Sequence, residues 1–466
     1  MTLSNRMSRF ERRVAFLLAG IFSTRMLGLF MILPVFALYA QEIEGYSPFL
    51  VGVALGIYGL TQALFQIPLG MLSDRIGRKP VILGGLVIFA IGSVVAAMAD
   101  SFSGIIVGRA LQGAGAIASA VMALAADLTR EEHRFKVMAL IGISIGASFG
   151  LALVFGPVVH AWAGLSAIFW LTALLAVLGL ILVLTKVPQP AVSRFRRDAG
   201  VELNWISQAL HDAQLLRLDL SIFILHFILM ASFVVIPVML NSQMDSGVGS
   251  HWQVYLPVLL LAMLAISPLL FMVEKKNKVK QVLIGAVVII ILSQLGISWL
   301  GSSFVGLVLM LWLFFTGFNL LEAMLPSLVS KVAPAAHKGT AMGAYSTAQF
   351  LGIFFGGLIG GWTAGQWGSE SVFLVNAGLA FVWLMFIWRM PQLQYHSSYM
   401  LNVGMMADEA AKGLADELSQ IEGVIEALVI AKEGVAYLKV DMAQLDIDAL
   451  HVYSVSTMDT SEILVK

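Results

Sequence analysis

The chain contains no cysteine among its 466 residues, and only 12% of its residues are charged. The missing thiols exclude disulfide bonds and thiolate metal sites. The shortage of charge accompanies 59% hydrophobic residues and a mean hydropathy of +0.90. A soluble fold of this size could not bury so much apolar surface, so we expect most of the chain to lie in a membrane.

Other absences narrow the function. The formal net charge is zero, so nothing favours a nucleic-acid partner. The sequence contains no G-x-x-x-x-G-K-[ST] phosphate loop, which disfavours an ATP-driven pump. The predicted loops hold no cluster of catalytic side chains, so the sequence does not predict an enzyme. We expect no cofactor and no bound metal.

Long apolar runs define the membrane segments. A bilayer core about 30 Å thick requires about 20 apolar residues per helix, which predicts twelve spans. Numbered 1 to 12, they cover residues 14–40, 49–72, 80–99, 102–126, 137–160, 165–186, 218–240, 253–273, 280–300, 303–326, 338–364 and 371–389. Span 1 follows Arg12 and Arg13 as a signal peptide would, but it is too long and contains Arg25. We therefore interpret it as a retained span.

Lysine and arginine test this count. They occur before span 1, around the links that follow even-numbered spans, and at the end of span 12. The opposite links contain neither residue: 41–48, 100–101, 161–164, 241–252, 301–302 and 365–370. This asymmetry predicts a multi-pass protein of the inner (plasma) membrane with both termini cytoplasmic.

The longest link is polar and divides the spans into six plus six. A parallel internal repeat supports this division, because His133-Arg134-x-Lys136-x-Met138-Ala139 resembles His337-Lys338-x-Thr340-x-Met342-Gly343. We predict an N-terminal bundle at 1–186, a cytoplasmic linker at 187–217, a C-terminal bundle at 218–390 and a soluble domain at 391–466.

The C-terminal segment has an ordinary soluble composition. Its patterns predict a strand, a helix, two strands and a helix, with a final strand in 452–457. These elements are Tyr399–Val403, Asp408–Gln420, Val424–Ala431, Val435–Val440 and Leu445–Leu450. The order predicts a small α+β ferredoxin-like domain. We leave regulation, self-association, ligand sensing and simple stabilisation of the cytoplasmic face open as its role.

One charged link stands out between spans 2 and 3. Its sequence is Gly70-Met71-Leu72-Ser73-Asp74-Arg75-Ile76-Gly77-Arg78-Lys79. Asp74 is an anion near a helix C-terminus, where the helix dipole disfavours it, so a specific cationic partner is expected. A plain positive-inside loop would explain Arg75, Arg78 and Lys79, but not the two glycines and Asp74.

The pattern G-x-L-x-D-R-x-G-R-K resembles the motif between spans 2 and 3 of major facilitator transporters. Gly108-Arg109-Ala110-Leu111-Gln112-Gly113 resembles the R-x-x-Q-G element of that family, and the glycines of span 5 resemble its drug:proton antiporter branch. The span 5 residues are Gly142, Gly146, Gly150, Gly156 and Pro157. With the appended domain, the chain looks most similar to YajR-type transporters, which carry a C-terminal ferredoxin-like domain.

This resemblance implies an all-α membrane fold of twelve helices in two six-helix bundles. It also implies a conformational gate, in which ion pairs join spans 2, 3 and 4 when the carrier opens outward. A permanent structural salt bridge is the alternative. We expect Asp127 to face the start of span 11, and Gly70 to pack against that span. The predicted gate residues are Gly70, Asp74, Arg75, Gly77, Arg78, Lys79, Asp127, Gly339 and Gly343.

Ionisable residues inside spans are functional candidates, because their insertion costs at least about 2.5–3.5 kcal/mol. The candidates are Arg25, Arg109, His226 and Glu322, on the spans that line the central cavity in this family; Gln112 and Asn319 accompany them. We predict that Glu322 carries a coupled proton, since burial favours a neutral carboxyl group. The alternative is that Glu322 caps a polar cluster. Helix packing is our primary interpretation of the span 5 glycines.

The resulting prediction is a secondary active transporter that works by alternating access of its two bundles. It would export small organic or drug-like compounds as a monomer in the lipid bilayer, using the proton gradient. A membrane sensor, in which the carrier core detects a ligand and the C-terminal domain signals, is the alternative. The sequence does not identify the substrate.

Overall fold

The computed structural model describes residues 7–188, 211–276, 278–334, 337–390, 397–431, 434–441 and 444–454. Most of the predicted linker and the predicted strand beyond residue 454 lie outside these ranges. The membrane helices are α1 Arg9–Phe30, α2 Phe36–Tyr39, α3 Pro48–Ile76, α4 Arg78–Ala97, α5 Phe102–Ala114, α6 Ala118–Leu128, α7 Glu131–Thr185, α8 Ala213–Phe233, α9 Ile236–Asn241, α10 Trp252–Lys276, α11 Val279–Leu300, α12 Phe304–Val332, α13 Lys338–Trp367 and α14 Ser369–Trp388.

Eleven of the helical segments in the described ranges are long and apolar enough to cross a membrane. One of them lies within α7, whose 55 residues would extend roughly 80 Å, against a bilayer core of about 30 Å. Gly164 breaks this helix with φ 75° and ψ −178°. Helix α7 therefore contains predicted spans 5 and 6, and the twelve predicted spans are all present as helices.

Three predicted spans are interrupted, which hydropathy did not indicate. Span 1 divides into α1 and α2, span 4 into α5 and α6, and span 7 into α8 and α9. Pro34 and Pro237 lie beside two of these breaks and lack the N–H that a continuing helix needs. Irregular backbone is tolerated at membrane depth where protein buries it, as at Val35 and Val235.

Successive helices alternate in direction, so alternate helix ends share one face of the membrane region. We call the end that carries Arg12, Arg78, Lys186 and Lys278 the basic face. Helices α1–α7 form the N-terminal bundle and helices α8–α14 form the C-terminal bundle.

The bundles pack tightly in the half away from the basic face. Helix α3 approaches α13 through Gly52, where a Cβ atom would overlap the carbonyl oxygen of Gly357. At Gly56 an added Cβ would lie 2.8 Å from the carbonyl oxygen of Phe354. Such backbone contact between helices requires small residues. The glycine positions therefore close the seam between α3 and α13 on this side.

The glycine ladder of α7 differs from the predicted packing. A Cβ at Gly142 or Gly146 would meet no atom within 4 Å, and one at Gly150 would only touch Leu259 at 3.8 Å. The reason is that α7 turns a different face to α1: the Ser148 hydroxyl lies 2.6 Å from that of Ser23. Close packing was therefore the wrong explanation for Gly142 and Gly146.

The neighbouring prediction, Gly156-Pro157, gives a different result. A Cβ at Gly156 would collide with the carbonyl oxygen of Met31 and lie 3.0 Å from Pro34. Pro157 lies inside α7 without ending the helix. Gly156 therefore allows close contact with the broken part of span 1.

The C-terminal domain is a small ferredoxin-like α+β unit. Its strands β1 Ser397–Asn402, β2 Val424–Ile430 and β3 Val435–Val440 form an antiparallel sheet in the order β1-β3-β2. Leu438 of β3 pairs with Tyr399 on one side and with Ala427 on the other. Helices α15 Asp408–Leu418 and α16 Ile447–His451 complete it, and its core contains Leu401, Leu418, Leu438, Val440 and Leu450.

Candidate functional site

The charged link between α3 and α4 is organised around Arg78. This side chain is only 3% exposed and pairs with Asp74, four residues before it in the sequence. Its Nε donates to Asp127 Oδ2 at 3.3 Å, and its NH1 donates to the Ser73 hydroxyl at 2.8 Å. One buried guanidinium thus joins the ends of α3, α4 and α6 through charge-assisted hydrogen bonds.

Backbone geometry explains why Gly77 stands in this link. Gly77 has φ 97°, a backbone conformation that residues with a Cβ atom rarely adopt. It separates the end of α3 from the start of α4. The sharp turn brings Arg78 back towards Asp74. Sequence reasoning placed Gly77 in the gate, and its positive φ gives that position a physical cause.

Gly70 has a different neighbour from the predicted one. A Cβ at Gly70 would lie 2.9 Å from the hydroxyl oxygen of Ser119, which belongs to α6 in the same bundle. We had expected Gly70 to pack against span 11. The tight contact between α3 and α13 instead lies near Gly52, because the bundles approach each other at the opposite end of these helices.

The remaining cations of the link do not join the Arg78 network. Arg75 is exposed at the end of α3. Lys79 Nζ donates to the carbonyl oxygens of Val187 at 3.0 Å and Leu184 at 3.4 Å. A lysine at free carbonyls stabilises the C-terminal end of a helix, here α7.

Gly339 and Gly343 lie in the first turns of α13 at the basic face and are half-buried. Their closeness to Asp127 remains a prediction. In the described residues Asp127 is joined to Arg78, and its side chain is 5% exposed.

A second ionic cluster at the basic face was missed. Glu11 Oε1 accepts hydrogen bonds from the Arg130 backbone N–H at 3.1 Å and from Arg130 Nε at 3.0 Å. Ser8 forms a capping box with Glu11 at the start of α1, and the buried His133 ring lies 3.4 Å from the Glu11 carboxylate. The S-x-x-E capping pattern was the available signal. The cluster ties α1 to the link between α6 and α7.

Deeper in the membrane, the predicted ionisable residues divide between the bundles. In the C-terminal bundle, His226 Nε2 of α8 lies 3.8 Å from Glu322 Oε2 of α12. Gln349 of α13 donates to His226 Nε2 at 2.8 Å, and its Nε2 lies 3.5 Å from Glu322 Oε1. Because His226 Nδ1 faces the Ile222 carbonyl oxygen at 3.3 Å, the ring fits a neutral tautomer with its proton on Nδ1.

Glu322 combines burial with access. Its side chain is 36% exposed, whereas Oε2 is buried without a hydrogen-bond partner in the described structure. Asn319 lies half-buried three residues earlier on α12. A carboxyl group placed in this way can exchange a proton with solvent and still change its contacts with His226.

Two further groups of this region were not predicted. Asp219 lies two turns before His226 on α8 and is 8% exposed, and Tyr345 lies one turn before Gln349 on α13 and is 3% exposed. Asp219 was assigned to the edge of span 7, so it was not treated as an interior charge. Its seven-residue spacing from His226, which places both on one helix face, was the missed signal.

The N-terminal bundle holds a different cluster. Arg25 NH2 donates to Gln62 Oε1 at 2.6 Å, and its guanidinium lies 5.9 Å from the Tyr58 ring centre. Arg109 approaches the same ring at 5.1 Å and donates to Gln112 Oε1 at 2.9 Å. Both arginines are 1% exposed. The structure therefore brings Arg25, Arg109 and Gln112 together in one bundle, and His226 and Glu322 together in the other.

The comparisons with known proteins identify the class. Residues 17–357 match the model of the Major Facilitator Superfamily, so the chain belongs to this family and is a membrane transporter. The chain is 46% identical over 435 residues to the inner membrane transport protein YajR of Escherichia coli, covering 92% of this chain and 94% of that protein. This relative places the chain with multi-pass transporters of the inner membrane.

Two more comparisons are less extensive. The chain is 36% identical over 114 residues to the class B tetracycline resistance protein of Escherichia coli, covering 24% of this chain and 27% of that protein. A bacterial homologue of the human lysosomal transporter Spinster, solved in an inward-facing and occupied conformation, superimposes with a TM-score of 0.68 at 13% identity. That match covers 82% of this chain and 97% of the solved one, and it supports the fold.

Proposed function

We propose that this transporter exports small organic or drug-like compounds in exchange for protons, by alternating access between its two bundles. The observation that carries the proposal is the Glu322 carboxyl group, which is partly exposed and lies beside neutral His226 and Gln349. Charged groups inside spans are otherwise rare and costly. The partial likeness to a tetracycline resistance protein supports the direction of transport.

In this proposal the basic face is cytoplasmic, because Lys and Arg collect on that side. The seam between α3 and α13 is closed on the opposite side, where Gly52 meets Gly357. Gly142 and Gly146, nearer the basic face on α7, make no close contact. The structure then represents a state open towards the cytoplasm. The Arg78 network is already formed in this state, which favours the alternative of a permanent structural salt bridge over ion pairs that join when the carrier opens outward. It would hold the ends of α3, α4 and α6 as one unit during rocking.

Flux in proteoliposomes tests the coupling. A thermal-shift screen first supplies a ligand, and its transport is then measured with and without a pH gradient. We expect the gradient to drive the ligand against its concentration difference. Equal flux under both conditions would contradict proton coupling.

Paired labels test the motion, and the absence of cysteine makes them simple to introduce. Ile76→Cys on α3 and Ser327→Cys on α12 place labels at exposed sites on different bundles near the basic face. We expect their distance distribution to change with ligand or pH. The pair Ile76→Cys and Leu184→Cys, within one bundle, is the control and should stay fixed. A fixed distance in both pairs would exclude rocking.

A sensor is the second candidate, and one contact favours it. Lys439 Nζ of β3 donates to the Val332 carbonyl oxygen at 3.0 Å, at the end of α12, the helix that carries Glu322. A ligand-driven change in α12 would therefore reach the C-terminal domain. If the protein is a sensor, its ligand binds without net flux, and Lys439→Met uncouples the two parts without altering affinity.

A further inference from the structure

Arg25 and Arg109 form a buried pair of positive charges without an acid. Both side chains are 1% exposed and both face the Tyr58 ring. In the described part of the N-terminal bundle, acidic residues occur only at helix ends or in links. They are Glu11, Glu42, Glu44, Asp74, Asp100, Asp127, Glu131 and Glu132. Buried charges normally have a counter-charge, because removing an ion from water is costly.

The two arginines differ in how their N–H groups are used. Arg109 directs Nε at the Ala54 carbonyl oxygen at 3.4 Å, NH2 at that of Leu55 at 3.5 Å, and NH1 at Gln112. Within the ranges that the structure describes, Arg25 directs only NH2 at a protein acceptor, Gln62 Oε1. Its Nε and NH1 are buried and have no hydrogen-bond partner among the described residues.

Aromatic rings do not replace that partner. Phe89, at 5.3 Å from the Arg25 guanidinium carbon, and Tyr58 interact with a cation through their ring faces. The N–H groups of a guanidinium lie in its plane and require acceptor atoms. The second positive charge, on Arg109, increases the attraction of the cluster for an anion. It also increases the free-energy cost of burying the cluster when no anion is bound.

Polar groups continue from this cluster towards the basic face. Gln62 Nε2 donates to Gln66 Oε1 at 3.3 Å, and the Ser119 hydroxyl donates to the Gln66 carbonyl oxygen at 3.0 Å. These groups follow α3 in the direction in which it reaches the basic face. They form a polar route along which an anion, losing its hydration water, would reach Arg25.

We propose that Arg25, with Arg109 as the second positive charge, forms a binding site for a compact monovalent anion inside the N-terminal bundle. The in-plane N–H groups of Arg25 hold the ion, and Tyr58 and Phe89 enclose the guanidinium. The ion is a halide from solution or the carboxylate group of a transported compound. Both are hydrogen-bond acceptors of one negative charge.

Thermal unfolding of the detergent-purified full chain tests this site. Bromide, chloride, acetate and benzoate salts are compared with gluconate, a monovalent anion larger than any of these four, at equal ionic strength. We expect the unfolding midpoint of the wild type to rise by about 2–4 °C in the binding anion. Arg25→Gln should lose this response. Arg12→Gln, which removes an exposed cation of the same helix, should keep it.

The different salts distinguish a halide from a carboxylate ligand. A response to halides alone identifies an inorganic ion, whereas a larger response to acetate or benzoate identifies a carboxylate ligand. Equal midpoints in every salt, or an unchanged response in Arg25→Gln, would overturn the proposal. If Arg25→Gln does not fold, ³⁵Cl NMR line broadening by the wild type that acetate or bromide reverses supports the site, and no broadening with any of these ions overturns it.

This inference does not depend on proton coupling. The experiment needs neither a pH gradient nor transport, and Glu322→Gln should keep the full anion response. Loss of coupling with an intact anion response would therefore affect only the proposed function, and the reverse result only the anion site.

Discussion

The two bundles hold their buried polar groups in different ways. The N-terminal bundle buries two permanent cations, Arg25 and Arg109, around Tyr58. The C-terminal bundle places a carboxyl group, Glu322, beside the neutral ring of His226. An arginine does not lose its proton in proteins, whereas a buried carboxyl group changes its charge readily. One bundle therefore buries fixed positive charge, and the other buries a group that can be either charged or neutral.

The basic face repeats this asymmetry. Arg78 of the N-terminal bundle joins three helix ends through Asp74, Asp127 and Ser73. The corresponding link of the C-terminal bundle, Glu274-Lys275-Lys276-Asn277-Lys278, keeps only a degenerate form of the motif. The internal repeat of the sequence therefore does not extend to this link, and we expect the two links to contribute differently to any gate.

Removing the titrating group should have the largest effect on transport. In Glu322→Gln we expect the component of flux driven by a pH gradient to fall at least about tenfold, because the amide cannot carry the proton. Proteoliposome flux measures it, with the exposed Glu370→Gln as the matched control. Wild-type pH dependence in Glu322→Gln would assign the proton to another residue.

Breaking the Arg78 network should have the largest effect on stability. Arg78→Gln leaves Asp74 and Asp127 without their shared cation, and removing one partner of a buried pair costs about 3–5 kcal/mol. Arg75→Gln, at an exposed position of the same link, should change the free energy of unfolding by less than about 0.5 kcal/mol. Similar denaturation curves for both variants would show that the network adds little.

Two glycine positions of α7 compare a close contact inside the N-terminal bundle with a position that has no neighbour. Gly156→Ala should destabilise the protein by about 1–3 kcal/mol, because its Cβ would collide with the Met31 carbonyl oxygen. Gly142→Ala should be neutral or slightly stabilising, because alanine is the better helix former and its Cβ meets open space. Thermal unfolding measures the stability of both variants. Equal destabilisation by the two substitutions would contradict the prediction.

The smallest effect is expected at Asp219. Asp219→Asn removes a buried acid on the His226 face of α8, but it leaves Glu322 in place. We expect flux to retain its dependence on the pH gradient and to change by less than about threefold. If Asp219→Asn lost proton coupling as completely as Glu322→Gln, the coupled proton would have to be assigned to Asp219 as well.

Local patterns determined the outline of this protein. Apolar runs of sufficient length predicted twelve spans, because each helix must satisfy its backbone hydrogen bonds within the bilayer. Alternation and helical periodicity predicted the strands and helices of the C-terminal domain, including β3 at Val435–Val440. Both signals lie within a single segment, so a sequence shows them directly.

Tertiary structure decided which groups meet. The sequence already placed Arg25 and Arg109 on spans of one bundle and His226 and Glu322 on spans of the other. The fold decided their contacts: both arginines face the Tyr58 ring, and His226 lies 3.8 Å from Glu322. It also gave Gly70 a neighbour in α6 rather than in span 11. Contacts between distant segments depend on the rotation and crossing angles of the helices, and these angles cannot be predicted from hydropathy. Composition and spacing thus determined the membrane fold, and the packing of the helices decided most contacts of its buried polar groups.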